Sequence, residues 1–217
     1  MRLPFRALLV AGAATAVIVG GALLVLGGSD DPGGGTGSGD EPFETTPLAS
    51  YDTLTAQVAR GAFCDAVDPR QVEAALGAEP ESSSSWENGD PVAVADGVED
   101  VGHEFGCEYV GADGAVARAW VFAPPVDADQ AQRLVRAAGK APGCEAADGP
   151  PLGNPTLALT CTQDGVAQAS YRGLFGDSWL VCELVRPAEA TWDVADRAGR
   201  WCVGVLEAVG ATRSDTE

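Results

Sequence analysis

The sequence predicts an α+β head: an antiparallel sheet of about five strands with helices packed on one face, stapled by disulfides and preceded by one transmembrane helix. Three observations carry this prediction. Residues 7–26 are an unbroken apolar run. Six cysteines, at 64, 107, 144, 161, 182 and 202, all follow that run. Beyond it, short alternating segments closed by Asp-Gly turns give way to helical periodicities, and they do so twice.

An apolar run of about 20 residues at 1.5 Å per residue spans a hydrocarbon core of roughly 30 Å. Arg2 and Arg6 precede the run, and Asp30 and Asp31 follow it. Positive charge stays inside, so residues 1–6 are expected in the cytoplasm and residues 7–26 form a signal anchor. Everything after it lies outside the cell membrane. A cleaved signal peptide has a shorter apolar stretch and a small-residue cleavage site. Val25 and Gly27 supply one poor pair of that kind, so secretion after cleavage near Gly27 is the alternative. No cysteine follows the run directly, which excludes lipid attachment there.

Residues 27–50 are rich in Gly, Ser, Asp and Pro and lack an apolar period. They read as a flexible linker. The head is expected over residues 51–213, with a disordered tail at 214–217.

Residues 51–67 read as a helix with Leu54, Val58, Ala62 and Phe63 near one face. Asp68 and Pro69 open a second helix, with Asp68 as N-cap and Gln71 completing a capping box. Val72, Ala75 and Leu76 form its apolar side, and Gly77 ends it. Residues 79–102, with four serines and many acids, read as loop. Phe105, Cys107 and Tyr109 alternate along a strand, and Asp113-Gly114 is a hairpin signal. Val116, Arg118, Trp120 and Phe122 line one face of the returning strand; Ala117, Ala119 and Val121 line the other. Asp127 caps a helix with Gln130 as its box partner and a stripe of Ala131, Leu134, Val135 and Ala138.

The second half resembles the first. Leu157, Leu159 and Cys161 share a strand face, Asp164-Gly165 turns the chain, and strands over 166–171 and 178–185 follow. A last helix begins near Ala190, with Val194, Ala198, Trp201, Cys202, Val205, Leu206 and Val209 at helical spacing. The recurrence suggests an internal duplication.

An even cysteine count outside the membrane implies a disulfide framework, and six cysteines allow 15 connectivities. No pair has C-x-x-C spacing, which argues against zinc or redox motifs. A helix lying across its own sheet brings Cys202 to Cys182, and the same logic joins Cys64 to Cys107. Cys144 and Cys161 remain as the third pair. The duplication offers a rival scheme: Cys107–Cys144, Cys161–Cys202 and Cys64–Cys182.

The chain carries a net charge of −19. From Tyr51 onward 27 acidic face 11 basic residues, a net of −16. Such a surface repels phosphate backbones, so no nucleic-acid partner is expected. It also disfavours a cationic grip on anionic lipid.

The segments CDAVDPRQVEAALG, FGCEYV and WCVGVLEAV, following a tethered N-terminus, resemble a large actinobacterial family of secreted or envelope-anchored, lipoprotein-like proteins of unknown function. The matching positions are Cys64, Leu76-Gly77, Cys107 with Tyr109, and Cys202, and the likeness covers roughly residues 60–210. This chain departs from the family by lacking a lipid-attachment cysteine and by adding Cys144 and Cys161. The resemblance implies an α/β sandwich-like head outside the membrane and no reaction. A looser likeness links the head to extracellular sensor heads of actinobacterial Ser/Thr kinases.

No catalytic constellation emerges. The single histidine, His103, sits between Gly102 and Glu104, and no G-x-S-x-G presents a serine. Paired cysteines leave no thiolate nucleophile. No EF-hand loop occurs; Glu99 and Asp100 are scattered acids. No metal and no cofactor are therefore expected. Two features suggest a binding surface instead. Arg172, Leu174, Phe175 and Trp179 lie in a stretch punctuated by Gly173 and Gly176, and Trp86 lies in a polar segment. The expectation is a single-pass envelope module that binds a small ligand or an envelope protein without catalysis. The alternatives are an envelope hydrolase using carboxylates and an accessory subunit of a membrane complex.

Overall fold

The computed structural model describes residues 43–211 except 96, 97, 164 and 188. The apolar run at 7–26, most of the linker and the tail at 214–217 lie outside the described residues. Among the described residues, no helix is long and apolar enough to cross a membrane.

The head is α+β. Among the described residues, nine strands occur in the order β1 Ser82–Trp86, β2 Pro91–Ala95, β3 Val98–Val101, β4 Glu104–Val110, β5 Val116–Phe122, β6 Cys144–Ala146, β7 Thr156–Gln163, β8 Val166–Phe175 and β9 Ser178–Pro187. The α-helices described with them are α1 Pro69–Leu76, α2 Ala128–Ala138 and α3 Val194–Ala211. Seven strands form one antiparallel sheet in the order β1-β4-β5-β9-β8-β7-β6, while β2 and β3 pair separately. The sheet therefore has seven strands, not five. Both additions are edges: β1, from the serine-rich stretch expected as loop, and the short β6.

β1 lacks the apolar alternation that marks a half-buried strand, and its four serines are exposed. Its pairing is a backbone affair, with Ser82 opposite Val110 and Trp86 opposite Gly106. Strand formation follows what lies beside a segment more than its own propensity.

The helix expected over 51–67 is not formed. Asp52 accepts from the Leu54 backbone N–H at 3.1 Å and from Thr55 Oγ1 at 3.1 Å. Such local bonds compete with helix. Distant partners take the neighbouring backbone. Ser178 Oγ donates to the Val58 carbonyl at 2.8 Å, and the Ala59 N–H donates to the Val209 carbonyl. Val58 and Phe63 are buried as expected, but Leu54 is 81% exposed. Only a 3-10 turn, Cys64–Ala66, is helical there.

The folded unit also begins before Tyr51. A 3-10 turn at Leu48–Ser50 buries Leu48, and Arg200 Nη1 donates to the Thr45 carbonyl at 2.7 Å.

The caps at the other two helix starts follow the sequence. Asp68 accepts from the Arg70 N–H, and Asp127 from the Gln130 N–H. Gln71 makes no capping box. It is buried, and its Nε2 donates to the Arg200 carbonyl at 2.6 Å. Gly204 on α3 makes room for it, since a Cβ there would come within 2.1 Å of Gln71 Cγ.

Helices cover both faces of the sheet rather than one. α3 and α1 lie on the face of Ala117, Ala119, Val121, Leu180, Cys182 and Leu184. On the other face Ala131, Leu134 and Val135 of α2 meet Trp120, Leu174, Trp179 and Val181. β5 explains this, because its residues alternate strictly between the two clusters. The two hairpin-then-helix units thus send their helices to opposite sides.

The disulfides are Cys64–Cys107, Cys144–Cys161 and Cys182–Cys202. The first ties a 3-10 turn to β4, the second clamps edge strand β6 to β7, and the third fastens α3 to β9.

Candidate functional site

The residues singled out from the sequence do not form one surface. Leu174, Phe175 and Trp179 are buried around the tight turn between β8 and β9, where Leu174 opposes Trp179 and Phe175 opposes Ser178. They are core. Leu174 and Trp179 belong to the α2 side and Phe175 to the α3 side. Arg172 is half-buried on β8, with one guanidinium nitrogen donating to Ser170 Oγ at 2.7 Å. Trp86 and Arg172 do lie in one cross-strand row, through Gly106, Trp120 and Val181. Four strand spacings put them roughly 19 Å apart. Trp120 and Val181, packed beneath α2, separate them.

Leu174 and Phe175 border a small depression with Thr53 and Asn154, and Trp86 borders a larger one. The Trp86 ring lies over Gly106, and its Nε1 donates to Glu104 Oε1 at 2.9 Å. A Cβ at position 106 would sit 2.2 Å from the ring. Gly106→Ala is therefore expected to unseat Trp86 and shift its emission to the red. Difference spectra against a Trp86→Phe chain isolate that ring, and an unshifted spectrum would refute the seat described.

Beside Trp86, two depressions run along the α1 side of β1. One, of 280 Å³, is bordered by Phe63, Cys64, Asp65, Ser85, Trp86 and Glu87. The other, of 380 Å³, is walled by Val67, Pro69, Val72 and Tyr109 together with Ser83 and Ser85. They share Cys64, Asp65 and Ser85, so they form one groove along the sheet edge. Asp68 N-caps α1, Cys107 anchors the 3-10 turn, and Tyr109 Oη donates to the Cys64 carbonyl at 3.3 Å. These contacts set the wall opposite the serines.

Away from the groove, the α2 face carries a polar row that sequence reasoning missed. Arg118 pairs with Glu108 and, at 3.4 Å, with Glu183. Gln168 Nε2 donates to the second Glu183 oxygen at 2.7 Å. The signal was a lone acid inside the apolar run of β9 and a lone arginine among Val116, Trp120 and Phe122. Glu183 is only 8% exposed. Burial pushes its carboxyl above the usual range, against the pull of Arg118 and Arg172. Burial likewise raises Glu104, tempered by the Trp86 hydrogen bond.

A carboxyl that holds its proton more firmly when folded adds stability in full below its unfolded pKa. That contribution is lost as pH rises through the folded value. Stability is therefore expected to fall as pH climbs from the ordinary carboxylate range through the raised value. Glu183→Gln should flatten that slope. Denaturant melts across the acidic to neutral range read it, and an identical slope in parent and variant would show that Glu183 does not titrate there.

His103 is exposed in a shallow depression with Asn88, Ala123 and Pro124. Glu99 and Asp100 are exposed on β3. Among the described residues, no cluster of three or more His, Cys, Asp or Glu side chains is placed to hold a metal ion.

No protein-family model matches the chain, and no curated protein matches it. Among solved structures, the chain is similar to the crystal structure of the extracellular domain of PknH from Mycobacterium tuberculosis. The likeness has 13% sequence identity and a TM-score of 0.45, covering 71% of this chain and 98% of that one.

Proposed function

We propose that this chain is a membrane-anchored, extracytoplasmic binding module of the cell envelope, sensor-like and non-catalytic. The groove beside β1 carries the reading. It pairs an apolar wall with an uncovered strand edge and is framed by a disulfide. All six cysteines are consumed in bridges, which suits an oxidising compartment. The apolar run at 7–26 suits an anchor. Glu108 and Glu183, two carboxylates on one face, are both engaged by Arg118, which disfavours the hydrolase alternative.

The test is photocrosslinking in the native envelope, with the reactive group placed at Ser83 and, as control, at Glu145 on β6. Capture at Ser83 that excess unlabelled chain competes away is expected, with none at Glu145. Absence of capture overturns the binding reading. Cleavage of wall glycans by the purified chain would replace it with the hydrolase.

A further inference from the structure

We propose that the open edge of β1 is a strand-addition site for an extended, basic peptide segment of an envelope partner. This deepens the binding reading above and rests on it.

The register decides which backbone groups are available. The Gly111 N–H donates to Ala115 O at 2.8 Å and the Ala123 N–H to His103 O at 2.9 Å. Odd-numbered residues of β4 therefore bond to β5. The even-numbered ones, Gly106, Glu108 and Val110, turn to β1 and meet Trp86, Ser84 and Ser82. Ser83 and Ser85 consequently send their N–H and C=O groups outward. No described strand pairs with that side.

Sheet edges are ordinarily blunted by charges, proline, bulges or brevity. The opposite edge follows that rule: β6 has three residues and is clamped by Cys144–Cys161. β1 has five residues, and its four serines are exposed, small and uncharged. They leave the backbone within reach of another chain.

The groove lies where an added strand would need it. Side chains alternate across a strand, so every second residue of the newcomer would point toward Val67, Val72 and Tyr109. Backbone bonds to Ser83 and Ser85 supply attachment, and the apolar wall selects small aliphatic side chains at alternate positions.

Charge chooses the partner. Asp65 and Glu87 border the groove, and no lysine or arginine does. A second copy of this chain would bring the same serines, but also the same net charge of −16 beyond residue 50. Like charges at an interface are costly, whereas lysine or arginine side chains meet Asp65 and Glu87 favourably.

The test uses the full chain in detergent micelles and two blocked seven-residue peptides with valine at positions 3 and 5 and threonine at the even positions, one carrying lysine and the other glutamate at positions 1 and 7, so that charges and valines share the face turned to the groove. The lysine peptide is expected to slow amide exchange at Ser83 and Ser85 and to bind at least about tenfold tighter than the glutamate peptide. Ser83→Pro with Ser85→Pro removes two outward N–H groups while leaving the β4 ladder intact. It should abolish binding without moving the unfolding midpoint. Because proline can disturb a strand, Asp65→Lys with Glu87→Lys serves as an independent variant and should reverse the peptide preference.

Equal binding of both peptides, or protection elsewhere than Ser83 and Ser85, overturns the proposal. So does a dimer in sedimentation that the proline variant dissolves. Should crosslinking at Ser83 capture a partner while the lysine peptide fails to bind, strand addition alone falls. Should capture fail as well, the binding reading falls with it.

Discussion

Replacing Trp201 with alanine is expected to cost the head about 4 kcal/mol of stability, the largest single-residue loss in the fold. Trp201 is completely buried on the inner stripe of α3. It meets Tyr109 edge to face, with centroids 5.9 Å apart and rings at 82°. Its Nε1 also donates to the Arg118 carbonyl of β5 at 2.8 Å. Truncation opens a cavity between α3 and the sheet and removes that hydrogen bond. Trp201→Phe keeps most of the area and loses the hydrogen bond, so it should cost less, about 2 kcal/mol. Urea denaturation separates the two. A Trp201→Ala loss below about 1 kcal/mol would show that α3 does not depend on this anchor.

Removing the Cys64–Cys107 bridge as Cys64→Ala with Cys107→Ala is the second large effect. This bridge spans 43 residues of sequence, against 17 for Cys144–Cys161 and 20 for Cys182–Cys202. Loop-closure entropy then predicts a loss of roughly 4 kcal/mol for the first and roughly 3 kcal/mol for each of the others. The consequence is local as well as global. Cys64 opens the 3-10 turn that walls the groove, and its carbonyl would be held only by the Val67 N–H within the turn and by the weak bond from Tyr109 Oη. Melts of the three double variants should rank Cys64–Cys107 as the most costly. A midpoint equal to the parent's would mean that the unfolded chain gains nothing from release of that loop.

What the sequence made legible was local. The caps at Asp68 and Asp127 involve a side chain and a backbone group two or three residues on. The Asp113–Gly114 hairpin is set by four residues, with Asp113 Oδ1 accepting from the Ala115 N–H. The stripe of α3 is a single periodicity, and all its central members are buried. The misreadings were not local. Residues 51–63 have helical spacing by coincidence, because Val58 and Phe63 are buried by chain that crosses from elsewhere. β1 has no side-chain signal at all, and β4 alone makes it a strand. α2 is amphipathic in isolation, but only the path from β5 to the far edge sends it to the opposite face from α3. For the site, Trp86 stood out as an aromatic in a polar run. The groove did not, because its walls come from residues 62–72, 80–87 and 109, which no window brings together.

Arg200 clips Thr45 to α3, and Cys202, two residues further on, is covalently joined to β9 at Cys182. Tension applied at residue 43 therefore travels through α3 to the middle of the sheet, between β5 and β8, instead of peeling an outer strand. A pull on the tether therefore first meets a helix stapled to a central strand, and not the margin that β1 forms.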